Sequence, residues 1–99
     1  MLISHTTEDD LISRFLPLLP RGEGVDVPSG DDCAVLAMAG AAAISTDMLV
    51  EGHHFRRDWS GGADIGFRAA MQNLADAVAM GARPRTLVIS LGLPGSLEV

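Results

Sequence analysis

The residue pattern predicts an α/β fold built in two layers (α+β in arrangement): a small mixed sheet with helices on one face. Two observations predict it. Apolar residues recur at helical spacing in two stretches, and three further stretches are short, apolar and bounded by turn residues. In chain order they read helix, strand, strand, helix, strand. Three strands and one long helix make a thin domain, so the fold reads as incomplete, lacking a further helix and strand.

The first helix starts at Thr6-Thr7-Glu8-Asp9-Asp10, with a threonine cap and acids in the first turn. Leu11, Ile12, Phe15, Leu16 and Leu19 follow at helical spacing, and Pro17 and Pro20 limit the helix to about two turns. Residues 21–30 are rich in Gly, Pro and acids and read as a loop. Residues 33–38 and 42–50 read as two strands joined at Ala39-Gly40 into a hairpin. On the second, Ser45, Asp47 and Leu49 share one face, and Ile44, Thr46 and Met48 the other. Residues 51–62 form a polar loop. A long helix is expected over 63–80, with Phe67, Ala70, Met71, Leu74, Ala77 and Val78 as its apolar stripe. Gly81 suits a left-handed cap and Pro84 blocks continuation. Residues 86–93 read as the third strand, closed by Pro94-Gly95.

With 99 residues and 47% hydrophobic content, the chain is one ordered domain at most. A net charge of −6 argues against a nucleic-acid surface. All seven basic residues are arginine. The P-loop and the protein-kinase strand lysine are therefore both excluded, and phosphate chemistry here must use metal, backbone amides and arginine. The lone Cys33 excludes an internal disulfide and a cysteine cluster, and its apolar neighbours predict a small buried residue. No signal peptide opens the chain and no apolar run approaches membrane-spanning length, so a cytoplasmic location is expected.

Three acidic motifs stand out: Gly30-Asp31-Asp32-Cys33-Ala34, Ser45-Thr46-Asp47 and Asn73-Leu74-Ala75-Asp76. Carboxylates beside apolar segments are costly unless neutralised, and several brought together favour a cation. Mg²⁺ takes oxygen ligands and reaches proteins through one or two carboxylates plus substrate phosphates. The motifs thus point to a Mg²⁺–phosphate site. On spacing alone, Asp31-Asp32 reads as a solvated turn and Asp76 as a surface helical acid. For Asp47, a ligand and a water-facing edge residue stand equal. Adjacent His53 and His54 point to opposite faces of an extended chain and do not chelate one metal. A histidine contacting a phosphate or ring, and a plain loop histidine, both remain open. Arg56-Arg57 reads as a solvated pair or a phosphate clamp, and Trp59 as a lid or core residue.

Taken in order, the motifs resemble the thiamine-monophosphate kinase family. Besides the acidic motifs, the matching stretches are Ile44-Ser45-Thr46-Asp47-Met48-Leu49-Val50-Glu51-Gly52-His53-His54-Phe55, Ala63-Asp64-Ile65-Gly66-Phe67-Arg68-Ala69 and Ala79-Met80-Gly81-Ala82-Arg83-Pro84. The resemblance implies direct transfer of the ATP γ-phosphoryl group to thiamine monophosphate, within the aminoimidazole ribonucleotide synthetase-like superfamily. Its members are about three times as long, with two α/β domains. Residues 1–99 would then be the N-terminal ATP- and Mg²⁺-binding domain, part of a homodimer whose sheets pair. Carried over by position, Asp32, Ser45, Thr46, Asp47 and Asp76 would be metal ligands, with Asp47 and Asp76 central to catalysis. His54 would contact the substrate, and Asp31 would support the ligands from outside. Most relatives have serine at Ala75 and many have lysine at Arg68; neither change removes a ligand. A later Gly-Gly-Asp segment of the family is absent from this sequence, so the fragment alone is expected to be inactive. Two other readings are kept: another ATP-dependent synthetase or maturation factor of the superfamily, and a non-catalytic metal-binding or dimerisation module.

Overall fold

The computed structural model describes residues 1–20, 22–27 and 33–99. Two α-helices, α1 (Glu8–Phe15) and α2 (Gly62–Ala79), accompany one two-stranded antiparallel sheet of β1 (Val25–Val27) and β2 (Val35–Leu36). The chain is therefore a small α+β piece, as its pattern predicts. It divides into two compact units, one of Met1–Gly40 with Leu91–Val99, the other of Ala41–Ser90.

In the first unit, α1 begins where the capping signal places it. The Asp10 amide donates to Thr7 Oγ1 at 3.2 Å, and Asp10 Oδ2 accepts from the Thr7 amide at 3.1 Å and its hydroxyl at 2.7 Å. This reciprocal box satisfies two amides that a helix start leaves without partners. Pro17 falls in the 3₁₀ turn Leu16–Leu18 that ends the helix. The two ends of the unit's sequence are laced together. The Ile3 amide donates to the Leu97 carbonyl at 2.9 Å, Ser4 to Gly95 at 3.0 Å, and Val99 to Met1 at 2.9 Å. A Cβ at Gly95 would stand 3.2 Å from Ser4 Cβ, so the close approach favours glycine there.

The sheet differs from the expected hairpin. Val35–Leu36 pairs backward with Val25–Val27, matching Val25 to Leu36 and Val27 to Val35 across an irregular register. The stretch 21–30, read as a loop, thus contains a strand. Residues 42–50 and 86–93 form no strand, and the sheet is antiparallel rather than mixed. A strand is held by its ladder partner. Among the described residues these two apolar stretches have none. Cys33, expected to be buried, is exposed, lying just outside the two-residue β2.

In the second unit, α2 runs one residue earlier at each end than the apolar spacing suggests. Its start is tied by Asp64 Oδ2 accepting from the Gly61 amide at 3.2 Å. Gly81 takes φ +73, the left-handed turn expected after the helix. The covered face overlaps the predicted stripe by half and extends to the Asn73 side. Ala70, Leu74 and Ala77 of that stripe are half-buried together with Ile65, Ala69 and Asn73, while Phe67, Met71 and Val78 are exposed. Half-buried Asn73 sits there without cost because its amide donates to the Ala69 carbonyl at 2.8 Å. Among the described residues no hydrophobic side chain is fully buried.

Candidate functional site

Within the second unit, one row of α2 faces the segment that precedes it. Arg68, Gln72 and Asp76 are spaced i, i+4, i+8, so they lie along one side of the helix. The Gln72 side-chain amide donates to Asp47 Oδ2. One turn earlier, the Arg68 guanidinium donates to the His54 carbonyl oxygen. Two helix side chains thus hold residues 47 and 54 against α2. The expected alternation of faces is not seen: of residues 41–50 only Leu49 is half-buried, while Ser45 and Asp47, read on its face, are exposed like Ile44, Thr46 and Met48.

Asp47 is engaged at both oxygens, since Oδ1 also accepts from the Met48 amide at 2.9 Å. A carboxylate offers about four lone-pair directions, so acceptor capacity remains on each oxygen. Asp76 lies one helical turn beyond Gln72, a rise of about 6 Å. It is exposed, as are Ser45 and Thr46. These four donors are all oxygen, the ligand type a hard divalent cation takes. No three His, Cys, Asp or Glu side chains converge among the described residues. No hydrogen bond joins Asp47 to Asp76, Ser45 or Thr46 among the described residues. Asp31 and Asp32 lie outside the described residues.

The loop after Asp47 is closed by its own hydrogen bonds. The Val50 carbonyl accepts from the His53 and His54 amides at 3.1 and 2.9 Å, and the Gly52 amide donates to the Phe55 carbonyl at 2.8 Å. Gly52 takes φ +85, which a residue with a side chain adopts only at a cost. The Val50 amide donates to His54 Nδ1 at 3.0 Å. An accepting Nδ1 is unprotonated, so the neutral ring carries its hydrogen on Nε2. His53 and His54 have ring centroids 6.4 Å apart and tilted by 52°.

The two loop arginines are committed within the loop. Arg56 donates twice to Asp58, at 3.0 and 2.6 Å, and Arg57 donates to Glu51 at 2.8 Å. The Arg56 hydrogen bonds hold the Asp58 carboxyl below its ordinary range. Arg56 also stacks on Trp59, 4.4 Å from the ring centroid. Trp59, 76% exposed, is therefore a platform for Arg56 and not a core residue. Gly52, His53, His54, Trp59, Asp64 and Arg68 are among the residues lining a cavity of about 350 Å³. That is the size of a small-ligand pocket.

Sequence reasoning did not foresee the contacts of Gln72 with Asp47 and of Arg68 with His54. The i, i+4 row shared with Asp76 was the available signal. The contact between Gln72 and Asp47 spans 25 residues, and spacing says nothing about such a distance.

Residues 30–99 match the family model described as AIR synthase related protein, N-terminal domain. The chain is also similar to curated proteins named thiamine-monophosphate kinase. The one from Mycobacterium tuberculosis H37Rv is 48% identical over 66 residues, 66% of this chain and 20% of that protein. The one from Salmonella typhimurium LT2 is 43% identical over 91 residues, 88% of this chain and 27% of that protein. The one from Bacillus subtilis 168 is 38% identical over 89 residues, 88% and 27% respectively. The chain thus spans a fifth to just under three-tenths of the length of these relatives. No solved structure matches it. Seventy of the 99 residues fall within that family model, and the chain belongs to the AIR synthase related protein family.

Proposed function

We propose that the protein to which these residues belong phosphorylates thiamine monophosphate with ATP, giving thiamine diphosphate and ADP. The observation that supports this most is the similarity to proteins named thiamine-monophosphate kinase over stretches that include Ser45-Thr46-Asp47 and Asn73-Leu74-Ala75-Asp76. In the reaction the bond from the γ-phosphorus to the bridging oxygen of ATP breaks. A new phosphoanhydride bond forms to the terminal phosphate oxygen of the acceptor. Such transfers need positioning and charge neutralisation more than covalent chemistry from the protein. Bound Mg²⁺ would supply that neutralisation, a role that lysine-free chemistry leaves open.

Residues 1–99 serve in this reading as the N-terminal nucleotide- and Mg²⁺-binding domain of a cytoplasmic homodimer. Asp32, Ser45, Thr46, Asp47 and Asp76 hold metal, with Asp31 supporting them. Asp47 keeps its carboxylate turned to α2 through Gln72. His54 presents Nε2–H as a donor toward the acceptor substrate, held in that tautomer by the Val50 amide. No helix among the described residues is long and apolar enough to cross a membrane.

The test is product formation by the intact protein with ATP, thiamine monophosphate and Mg²⁺. Thiamine diphosphate, identified by chromatography and lost on adding EDTA, is the expected product. ATP turnover without thiamine diphosphate would assign the protein to a different ATP-dependent branch of its family.

A further inference from the structure

We propose that Gln72 is a positioning residue for Asp47, fixing the carboxylate in the orientation that binds a divalent cation. The inference rests on reading Asp47 as a metal ligand and extends it to a residue outside the acidic motifs. Asp47 lies in a segment without helix or strand hydrogen bonds, and it is exposed. Nothing in its own backbone element limits its rotamers. Two donors do so instead, one on each oxygen: the Met48 amide on Oδ1 and the Gln72 amide on Oδ2. The Met48 bond is local and travels with the segment. Gln72 stands on the eighteen-residue α2, the longest regular element among the described residues. It ties the carboxylate to the same helix that carries Asp76 one turn on.

The chemistry of the contact follows from the carboxylate. An ionised carboxylate only accepts, so the glutamine must present its NH₂ to Asp47 and its carbonyl elsewhere. A neutral donor orients the carboxylate without cancelling its charge, whereas an arginine or lysine would compete with the cation. One lone-pair direction on each oxygen stays available. Hydrogen-bond partners of metal-ligating groups typically change metal affinity by 10–100-fold when removed.

Mn²⁺ binding to the intact protein, followed by electron paramagnetic resonance, tests this. Gln72→Met keeps length and helix propensity while removing the donor. It is expected to weaken Mn²⁺ binding by about tenfold, with helix content by circular dichroism unchanged. Asp47→Asn is expected to weaken binding at least as much. The double variant is expected to bind like Asp47→Asn alone, because Gln72 acts through Asp47. Wild-type affinity in Gln72→Met, or losses that add in the double variant, would overturn the role of Gln72 while leaving Asp47 as a ligand. Unchanged affinity in Asp47→Asn would instead overturn the metal reading, and the positioning role with it. The unmutated protein offers a second readout, in which the Gln72 side-chain amide resonances shift on adding Mg²⁺. Resonances that do not move overturn the proposal.

Discussion

Asp47 and His54 are seven residues apart and both are held to α2, Asp47 through its side chain and His54 through its carbonyl, so their substitutions should fail differently. In the intact protein, Asp47→Asn is expected to lose nearly all phosphoryl transfer while the fold survives. Loss of one ligand to a Lewis-acid cation costs several kcal/mol of transition-state stabilisation, roughly three orders of magnitude in kcat. Steady-state turnover near wild type at saturating Mg²⁺ would defeat the assignment. His54→Ala removes a donor from the cavity but no charge from the cation site. It should raise KM for thiamine monophosphate more than KM for ATP, the pattern of lost substrate binding. Equal effects on both, or none, would show His54 to be a loop residue that merely accepts from Val50.

At the scale of elements, the capping box of α1 makes a pH prediction. Hydrogen bonds from the Thr7 side chain and then its backbone hold the Asp10 carboxyl below its ordinary range, with Arg14 adding to the shift. A depressed carboxyl stabilises the folded state above its unfolded pKa, and that contribution disappears as pH falls through the folded value. Helicity of residues 8–15, read from NMR Cα shifts, should therefore decline below about pH 4. Thr7→Ala should lower it at neutral pH and remove most of that decline; an unchanged acid profile would contradict the cap. The same box shows what was legible from sequence. Thr7, Asp10 and Gly81 act through residues three or four apart, so spacing alone placed both helices closely. Sheet pairing is not local in that sense. Val25-Asp26-Val27 is too short to show an alternation, and the apolar run 42–50 looks like a strand whether or not a partner exists. The covered face of α2 was legible only in part. Its alanines make several faces look equally apolar, so spacing alone does not single out the covered one. Asp47, Asp76 and His54 were visible as candidates because carboxylates and histidines are conspicuous, whereas a glutamine tether is chemically quiet until its partner is seen.

For the whole molecule, exposed apolar surface dominates. Met38, Ile44, Val88 and Leu91 are 55%, 92%, 90% and 59% exposed, with no described hydrophobic residue fully buried. Apolar side chains in that state drive association. The isolated 99-residue chain is therefore expected to self-associate, most simply as a symmetric dimer, when followed by light scattering. A stable monomer at high micromolar concentration would refute this. It is also expected to make no thiamine diphosphate, since it covers under a third of its relatives' length. The lacing of residues 1–4 to 95–99 has a further consequence, in time rather than in space. One unit is continuous along the chain and the other is not. During synthesis, Ala41–Ser90 can close as soon as it leaves the ribosome, while Met1 to Ser4 wait for partners some 90 residues downstream. Joining those ends means closing a loop whose length-dependent entropy is about 4 kcal/mol, against far less for any contact inside the loop from Val50 to Ser60. In pulsed hydrogen exchange the amides of Ile3 and Ser4 should therefore gain protection after those of His53 and His54.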